Sequence, residues 1–314
     1  MIVNTNVSPP VRQPSLSACC AAFAQAPIGW LRPRTPVHDF LKRLSDVGLP
    51  SAQHTVRIRA LRQVPKPVPT AGIVEGTRRP RHIFIAMTAF VIEHPSARFV
   101  VDPGMCTDVG PRVLSQLPAV LRMAVHPPTN AIPTSAALAE SLDGQAVDFA
   151  LPTHLHWDHI CGLLDLPSMP LRVHRRELEW MTSGAVAPAG GVVESLRDRP
   201  ISTFDLEGDR VSTFERSHDL FGDGTVPLVD LAGHTPGSIG VLAHTTTGWT
   251  LLAGDAAWHT LGVEHIRQKP SYPGVFADED RDLCFHTLHR LHAVKDQIRI
   301  IPTHDHHARA TLLG

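Results

Sequence analysis

The spacing of apolar residues changes along the chain and predicts both helices and strands. Residues 37–47 repeat apolar side chains at helical spacing and end before Gly48. Residues 55–64 alternate between apolar and polar, which is typical of a half-buried strand. Two further apolar runs, 82–92 and 98–101, are joined by a short polar segment and predict a hairpin.

The remaining chain predicts further helices and strands, separated by loops at 65–81 and 183–191. Helical spacing is found at 108–126, 134–142, 175–182 and 279–293. Strand-like runs are found at 146–151, at 171–174, as several short segments within 200–255, and at 298–301. We therefore predict an α+β protein with one domain at 54–314. An N-terminal extension at 1–53 is expected to be partly flexible and to hold one short helix.

Composition limits the partners of the protein. Of 314 residues, 43% are hydrophobic and 19% are charged, which are ordinary values for a globular protein. The formal net charge of −1 gives no electrostatic case for nucleic acid or for an anionic membrane as a partner. The short basic cluster of Arg78, Arg79 and Arg81 is expected to be a solvated turn. We expect a small-molecule substrate, and a homodimer is possible.

The cysteines and the N-terminus bear on the compartment. The five cysteines are odd in number and irregularly spaced, which favours a reducing, cytoplasmic location over a disulfide framework. The sequence contains no run of about 20 apolar residues, so it predicts no membrane-spanning helix. Leu16-Ser17-Ala18-Cys19 has the form of a lipobox, but the residues before it are polar and rich in proline. We therefore expect neither secretion nor lipidation at Cys19.

Histidine and aspartate are concentrated directly after the predicted strand 146–151. His154, His156, Asp158 and His159 lie within six residues. On a loop, this spacing lets alternate side chains point at one locus. Imidazole nitrogens and carboxylate oxygens are ligands for zinc and other divalent ions. The segment therefore predicts a metal site.

Three later residues extend this candidate site. His234, Asp255 and His304 each follow an apolar run, as the metal-binding segment does. His304 competes with His306 and His307, and we prefer His304 because it directly follows the last predicted strand. His286, His289 and His292 recur every three residues, and we expect them on a partly exposed helix face rather than at the metal site.

Together these segments resemble the metallo-β-lactamase superfamily from about residue 82 to the end. His-x-His-x-Asp-His stands at 154–159, Gly-His-Thr-Pro-Gly at 233–237, Gly-Asp at 254–255, and the late histidine at 304. The resemblance implies a four-layer αββα sandwich with its site at one edge.

The same resemblance assigns roles to the ligands. His154, His156 and His234 would hold a first metal ion. A second ion would be held by Asp158, His159 and His304, with Asp255 bridging the two ions. Asp102, at the end of an early strand, would support the metal loop from behind.

The implied function is that of a dinuclear metal-dependent hydrolase. A hydroxide bridging two divalent ions would attack a lactone, an ester or a similar small molecule. Asp158 or Asp255 would act as the catalytic proton carrier. We expect zinc, with manganese, iron or cobalt as alternatives. Alternative activities are a glyoxalase II-like thioesterase and a phosphotriester hydrolase. An alternative of another class is a metal-binding effector protein with little catalysis.

Within the superfamily, the chain resembles the N-acyl homoserine lactonase-like and methyl parathion hydrolase-like branches. It departs from the lactonases at one position. They carry a tyrosine three residues after the bridging aspartate, where this chain has Trp258. An indole N–H can donate a hydrogen bond but cannot replace a phenolic hydroxyl in every respect. We predict that Trp157, Phe221 and Trp258 form an apolar wall of the substrate pocket.

Overall fold

The structure, a computed structural model, describes residues 10–310 and Leu312. The strands are β1 (Arg57–Ala60), β2 (Lys66–Pro69), β3 (His82–Ile85), β4 (Phe90–His94), β5 (Ala97–Val101), β6 (Phe149–Leu151), β7 (Leu171–His174), β8 (Ile201–Phe204), β9 (Ser217–Asp219), β10 (Pro227–Asp230), β11 (Ile239–Thr245), β12 (Gly248–Leu252) and β13 (Arg299–Ile301). In the described part of the chain they form a six-stranded sheet in the order β1-β4-β5-β6-β7-β8, a five-stranded sheet in the order β13-β12-β11-β10-β9, and the small pair β2-β3.

The helices are α1 (Leu16–Leu31), α2 (His38–Arg43), α3 (Val109–Arg112), α4 (Ala119–Ala124), α5 (Thr134–Leu142), α6 (Trp157–Ile160), α7 (Arg175–Thr182), α8 (Thr260–His265), α9 (Ser271–Ala277), α10 (Arg281–Val294) and α11 (His306–Ala310). Short 3-10 turns occupy Thr70–Gly72, Leu114–Gln116, Cys161–Asp165 and Val193–Leu196. No helix among the described residues is both long and apolar enough to cross a membrane.

The two large sheets pack face to face and are covered by helices on their outer faces. Phe90 and Phe99 of the first sheet meet Leu228 and Leu252 of the second in one buried cluster. The outer face of the first sheet packs on α5 and α7, and that of the second packs on α8 and α10. Because both faces are buried, the central strands are continuously apolar rather than alternating. The predicted four-layer αββα sandwich is confirmed.

Strand direction brings several strand ends to one edge of the sandwich. β5 and β6 are parallel neighbours, and so are β12 and β13. β10 and β12 are both antiparallel to β11, so β10 runs in the same direction as β12. Their carboxyl ends lead into the segments that carry the predicted metal ligands.

Several predicted elements differ in the structure. The helix expected at 108–126 is divided into α3, a 3-10 turn and α4. Pro118 precedes α4 and disfavours helical geometry at the residue before it, where Leu117 is extended. The run 82–92 is also divided, since β3 leaves the large sheet to pair with β2, a strand that lies in a predicted loop.

The N-terminal extension contains a long helix that sequence analysis missed. Ser15 caps α1, and its hydroxyl accepts a hydrogen bond from the Ala18 N–H. The helix packs on α9, where the ring of Phe23 stacks on that of Tyr272 at 4.1 Å between centroids. The expected flexibility of residues 1–53 and the boundary at residue 54 stay predictions.

The expectation of a partly exposed histidine face on α10 is wrong for His289. This side chain is fully buried, and its Nε2 accepts a hydrogen bond from the Val37 N–H at 2.8 Å. His286 stacks on Phe40 at 4.6 Å. These two histidines therefore hold the segment around α2 against α10. The spacing of histidines within one helix cannot predict such a tertiary contact.

The packing between the sheets predicts a large effect of truncation at Leu228. Leu228→Ala leaves a cavity in the fully buried inter-sheet cluster and should lower the free energy of unfolding by about 2–5 kcal/mol in urea denaturation. Leu283→Ala, at a position 40% exposed on α10, is the matched control and should change it little. Equal effects of the two substitutions would contradict this assignment of the core.

Candidate metal centre

The predicted ligands all follow strands that end at the same edge of the sandwich. His154 and His156 follow β6, and His234 follows β10. Asp255 follows β12, and His304 follows β13. The chain turns sharply before Asp255 at Gly254, whose φ is +52°, and a Cβ there would lie 2.5 Å from Thr153 Oγ1. Only glycine fits both restrictions.

Three buried histidines form the first group. His154 Nε2, His156 Nδ1 and His234 Nε2 lie 2.9–3.1 Å from one another. Nitrogens that share a tetrahedral zinc at about 2.0–2.1 Å lie about 3.3 Å apart, so the three are suitably placed to hold one ion. Burial, followed by the neighbouring histidines, lowers the pKa of His154 and His156 well below the usual value. Both rings are therefore neutral near pH 7, as a metal ligand must be.

The second group lies around Asp255. Its Oδ1 is 3.2 Å from His159 Nε2 and 3.1 Å from His304 Nε2. Asp158 Oδ2 is 3.4 Å from the same His304 nitrogen. The other oxygen of Asp255 faces the first group, 3.4 Å from His234 Nε2. The carboxylate of Asp255 thus touches both groups.

Among the buried atoms without hydrogen bonds are two that lie 3.2 Å apart in the second group. Asp255 Oδ1 and His159 Nε2 form none with any described residue, although both are shielded from solvent. Buried polar atoms without partners are rare in proteins, and a bound cation would satisfy both of these. Burial opposes ionisation of Asp255, but His304 and His159 outweigh it and hold its pKa well below the usual range. The donor set and its charge therefore fit a divalent metal ion.

The structure also separates the competing late histidines. His304 lies in the second group, whereas the ring of His307 faces Phe84 at 5.9 Å. His306 accepts a hydrogen bond from Arg309 at 3.0 Å. Of the three histidines, His304 is thus the one that the fold brings to the other candidate ligands.

Asp102 lies behind the second group, where sequence analysis placed it. Its Oδ2 is 2.9 Å from His159 Nδ1, and its oxygens accept hydrogen bonds from the Thr153 N–H and from the hydroxyls of Thr153 and Thr303. Burial lowers the pKa of His159, but Asp102, Asp255 and Asp158 outweigh it and raise that pKa well above the usual value.

Sequence analysis missed three buried residues that support the ligands. Asp278 Oδ1 is 2.8 Å from His234 Nδ1 and accepts a hydrogen bond from Lys269. Glu177 accepts hydrogen bonds from the Leu155 N–H, the Thr235 hydroxyl and the Gly237 N–H. The sequence offers no signal for them, because Glu177 lies in a charged helical segment and the other two lie outside any motif.

The aromatic residues predicted to line the pocket do not share one environment. The indole N–H of Trp258 donates to Asp255 Oδ2 at 2.6 Å. Trp157 is 4% exposed, and its ring packs largely among buried residues while touching the cavity.

The prediction that Phe221 lines the substrate pocket is wrong. Phe221 stacks on His94 at 3.8 Å, against the inter-sheet cluster. His94 ends β4, beside the start of β5, whereas Asp102 follows the other end of β5. Phe221 therefore lies at the opposite end of the sandwich from the metal ligands. The Asp219 carboxylate accepts from the N–H groups of Phe221 and Gly224, which folds this loop away from the site.

Two adjoining cavities open onto the ligands. One of about 90 Å³ reaches His156, His234 and Asp255. The other, of about 290 Å³, is lined mostly by apolar side chains of β2, β3 and the segment 125–128, and it ends at Asp158 and His304. Trp258 and Pro273 border both cavities, which therefore lie next to each other beside the candidate metal ligands.

Comparison with known proteins relates this geometry to a family. The family model of the metallo-beta-lactamase superfamily matches residues 86–304, more than half of the chain. The chain is 25% identical to the N-acyl homoserine lactonase AttM of Rhizobium radiobacter over 225 residues, which cover 70% of this chain and 82% of that relative. It is 26% identical to AttM of Azorhizobium caulinodans over 178 residues, 55% of this chain and 66% of that relative. It is 28% identical to the gamma-lactamase FDB1 of Fusarium pseudograminearum over 185 residues, 54% of this chain and 45% of that relative.

Solved structures share the fold. An N-acyl homoserine lactone hydrolase, with the product N-hexanoyl-L-homoserine bound at its catalytic metal center, has a TM-score of 0.60 at 18% identity. The comparison covers 82% of this chain and 97% of that one. The hydrolase AbOPH has a TM-score of 0.51 at 16% identity, over 83% and 91% of the two chains. With its family model, its sandwich and its buried groups of histidine and aspartate, the chain belongs to the metallo-beta-lactamase superfamily and is a hydrolase of that superfamily.

Proposed function

We propose that the chain is a dinuclear metal-dependent hydrolase that cleaves a lactone, an ester or a similar small molecule. The observation that carries this proposal is the position of Asp255, whose two oxygens face two separate groups of ligands. His154, His156 and His234 would hold one ion, and Asp158, His159 and His304 the other. Ligation by nitrogen and oxygen suits zinc first, and also manganese, iron or cobalt.

When bound, the divalent ions would polarise a substrate oxygen and lower the pKa of water toward about 7. The residues of the chain would then position the substrate and move protons. One oxygen of Asp255 accepts a hydrogen bond from Trp258, and the other lies within the second ligand group, 3.1 Å from His304 Nε2. Asp158 borders both cavities, so we propose Asp158 as the group that carries a proton to the leaving group.

The apolar cavity and the related lactonases support a lactone or ester as the substrate. Trp258 sets this chain apart from the lactonases, because its indole N–H is directed at Asp255 and not into the cavity. Polarisation of the substrate carbonyl would therefore fall to the metal ions and not to Trp258. A cytoplasmic location and a homodimer stay predictions.

A panel of lactones, aryl esters, thioesters and phosphotriesters, assayed with metal-loaded protein, tests the substrate class. We expect turnover of lactones or esters. Preferential turnover of thioesters or phosphotriesters would replace the substrate assignment. Two bound ions without turnover of any class would favour a metal-binding effector protein.

Asp255→Ala should remove the carboxylate shared by the two groups. We expect the metal content after dialysis and the turnover to fall together, with kcat/KM lower by at least about 100-fold. Elemental analysis and the substrate panel measure both effects. Asp296→Ala, at an aspartate with an 87% exposed side chain, is the control. Wild-type turnover and two ions in Asp255→Ala would refute the dinuclear assignment.

Trp258→Phe keeps an aromatic ring but removes the donor to Asp255. We expect metal affinity to fall by about 10–100-fold, because a freed carboxylate is less well oriented toward the ions. Competition with a chromogenic chelator measures this change. Trp249→Phe, on the strand β12, serves as the control and should leave metal affinity unchanged. If the two variants bind metal equally well, the indole does not position Asp255.

Glu177→Gln tests the carboxylate that joins the two ligand loops. Burial raises the pKa of Glu177 to about 7, against its three hydrogen bonds. Between its usual value of 4.5 and about 7, the folded protein therefore binds more protons than the unfolded chain. The free energy of unfolding of the metal-free wild type, relative to the variant, should fall by up to about 3 kcal/mol as the pH rises through this window.

Urea denaturation across this pH range measures the difference, with Glu179→Gln as the control from the exposed face of α7. The control should show no such dependence on pH. A difference that instead grows with pH would mean that the three hydrogen bonds outweigh burial.

A further inference from the structure

The helix α1 exposes large apolar side chains over most of its length. Leu16 is 84% exposed, Ile28 60% and Leu31 71%. Phe23 and Trp30 are 47% and 43% exposed. We call these five residues the apolar face of α1. The whole helix, Leu16–Leu31, contains no charged residue.

This exposure is unusual for a folded protein. The opposite side of α1 is also apolar, since Ala22 and Ala26 are buried. Apart from Ser17 and Gln25 the helix is therefore mostly apolar on both sides, and helices of this kind are normally covered by other parts of a protein or by a membrane. A contiguous exposed apolar surface marks a site of contact with a membrane or another protein.

Exposed arginines stand at the C-terminal end of this face. Arg32 directly follows α1, and Arg78, Arg79 and Arg81 lie in the loop that leads into β3. The Arg78 guanidinium donates to the Trp30 carbonyl at 3.4 Å, which places that loop against the helix end. None of these arginines forms an ion pair with a residue that the structure describes. We call the four residues the arginine rim.

We propose that the apolar face of α1 and the arginine rim dock onto an anionic lipid surface. Apolar side chains enter the region between headgroups and acyl chains, and neighbouring cations bind the anionic headgroups. A second copy of the chain fits less well, because it would present the same arginines and neither the apolar face nor the rim carries an acidic residue. The net charge of −1 does not reveal this surface, because only the fold places the arginines at 78–81 beside the helix end at Trp30.

The docking surface lies next to the larger cavity. Val68, Pro69 and Ile73 line that cavity and lead into the arginine-containing loop. Pro273 of α9, the helix on which α1 packs, lines it from another side. A docked chain would therefore hold the mouth of the cavity near the lipid, where apolar substrates concentrate.

Flotation of the full-length protein with vesicles tests this proposal. One set contains phosphatidylcholine alone, and the other also contains phosphatidylserine. We expect binding to the anionic vesicles only, weakening as salt is raised. Arg78→Ala/Arg79→Ala/Arg81→Ala should lower partitioning by about 100-fold. Ile28→Asn/Leu31→Asn should lower partitioning as well. The control is Arg175→Ala/Val186→Asn, which changes an exposed arginine and an exposed apolar residue elsewhere and should leave partitioning unchanged.

Circular dichroism and the melting temperature of each variant establish that a loss of binding is not a loss of folding. No binding of the wild type to anionic vesicles would overturn the proposal. So would a stable dimer in light scattering that Ile28→Asn/Leu31→Asn converts to a monomer, since a second copy would then cover the apolar face. The measurement does not depend on turnover, so it stands apart from the test of hydrolysis.

Discussion

The metal centre depends on one buried carboxylate, that of Asp102. Its oxygens hold the main chain at Thr153, one residue before His154, and the hydroxyl of Thr303, one residue before His304. The same carboxylate lies 2.9 Å from His159 Nδ1. Asp102 itself has a φ of 49°, in the left-handed region that aspartate adopts more readily than most residues. One side chain therefore fixes ligand-bearing loops from both sheets, and it does so from a constrained backbone.

Other buried carboxylates act in the same way on the remaining loops. Glu177 joins the segment at Leu155 to the segment at Thr235, and Asp278 orients the ring of His234. A buried anion is unfavourable unless it is paired or accepts several hydrogen bonds. Asp278 forms an ion pair with Lys269, while Glu177 is stabilised by hydrogen bonds alone. The imidazoles of the site thus lie among the carboxylates of Asp102, Asp255 and Asp278, which favours a cation at its centre.

The sequence predicted the fold, which is confirmed, and a set of candidate ligands that the structure brings together, but not the residues that hold those side chains in place. His154, His156, Asp158 and His159 could be found because ligand spacing within a short segment is a local pattern. Asp102 could be found only through family resemblance. Asp278 could not, since its partner His234 is 44 residues away and the contact exists only in three dimensions.

The same reasoning explains the wrong predictions. Phe221 is close to the Gly-His-Thr-Pro-Gly segment in sequence, yet the antiparallel strands carry it to the far end of the sandwich. The helix α1 has almost no difference between its faces, so periodicity alone could not distinguish it from an irregular segment. Trp258 borders both cavities, but the direction of its indole N–H depends on the fold and could not be predicted from the sequence.

The packing of α1 on α9 links the N-terminal segment to the wall of the catalytic space. Phe23 stacks on Tyr272, and the Ser271 hydroxyl donates to the Ala22 carbonyl. Pro273, which follows Tyr272 in the chain, borders both cavities. A side chain changed on α1 can thus alter the width of the cavity without touching a ligand. Directed evolution of substrate range should accordingly include this helix in its libraries, and affinity tags are better placed away from it.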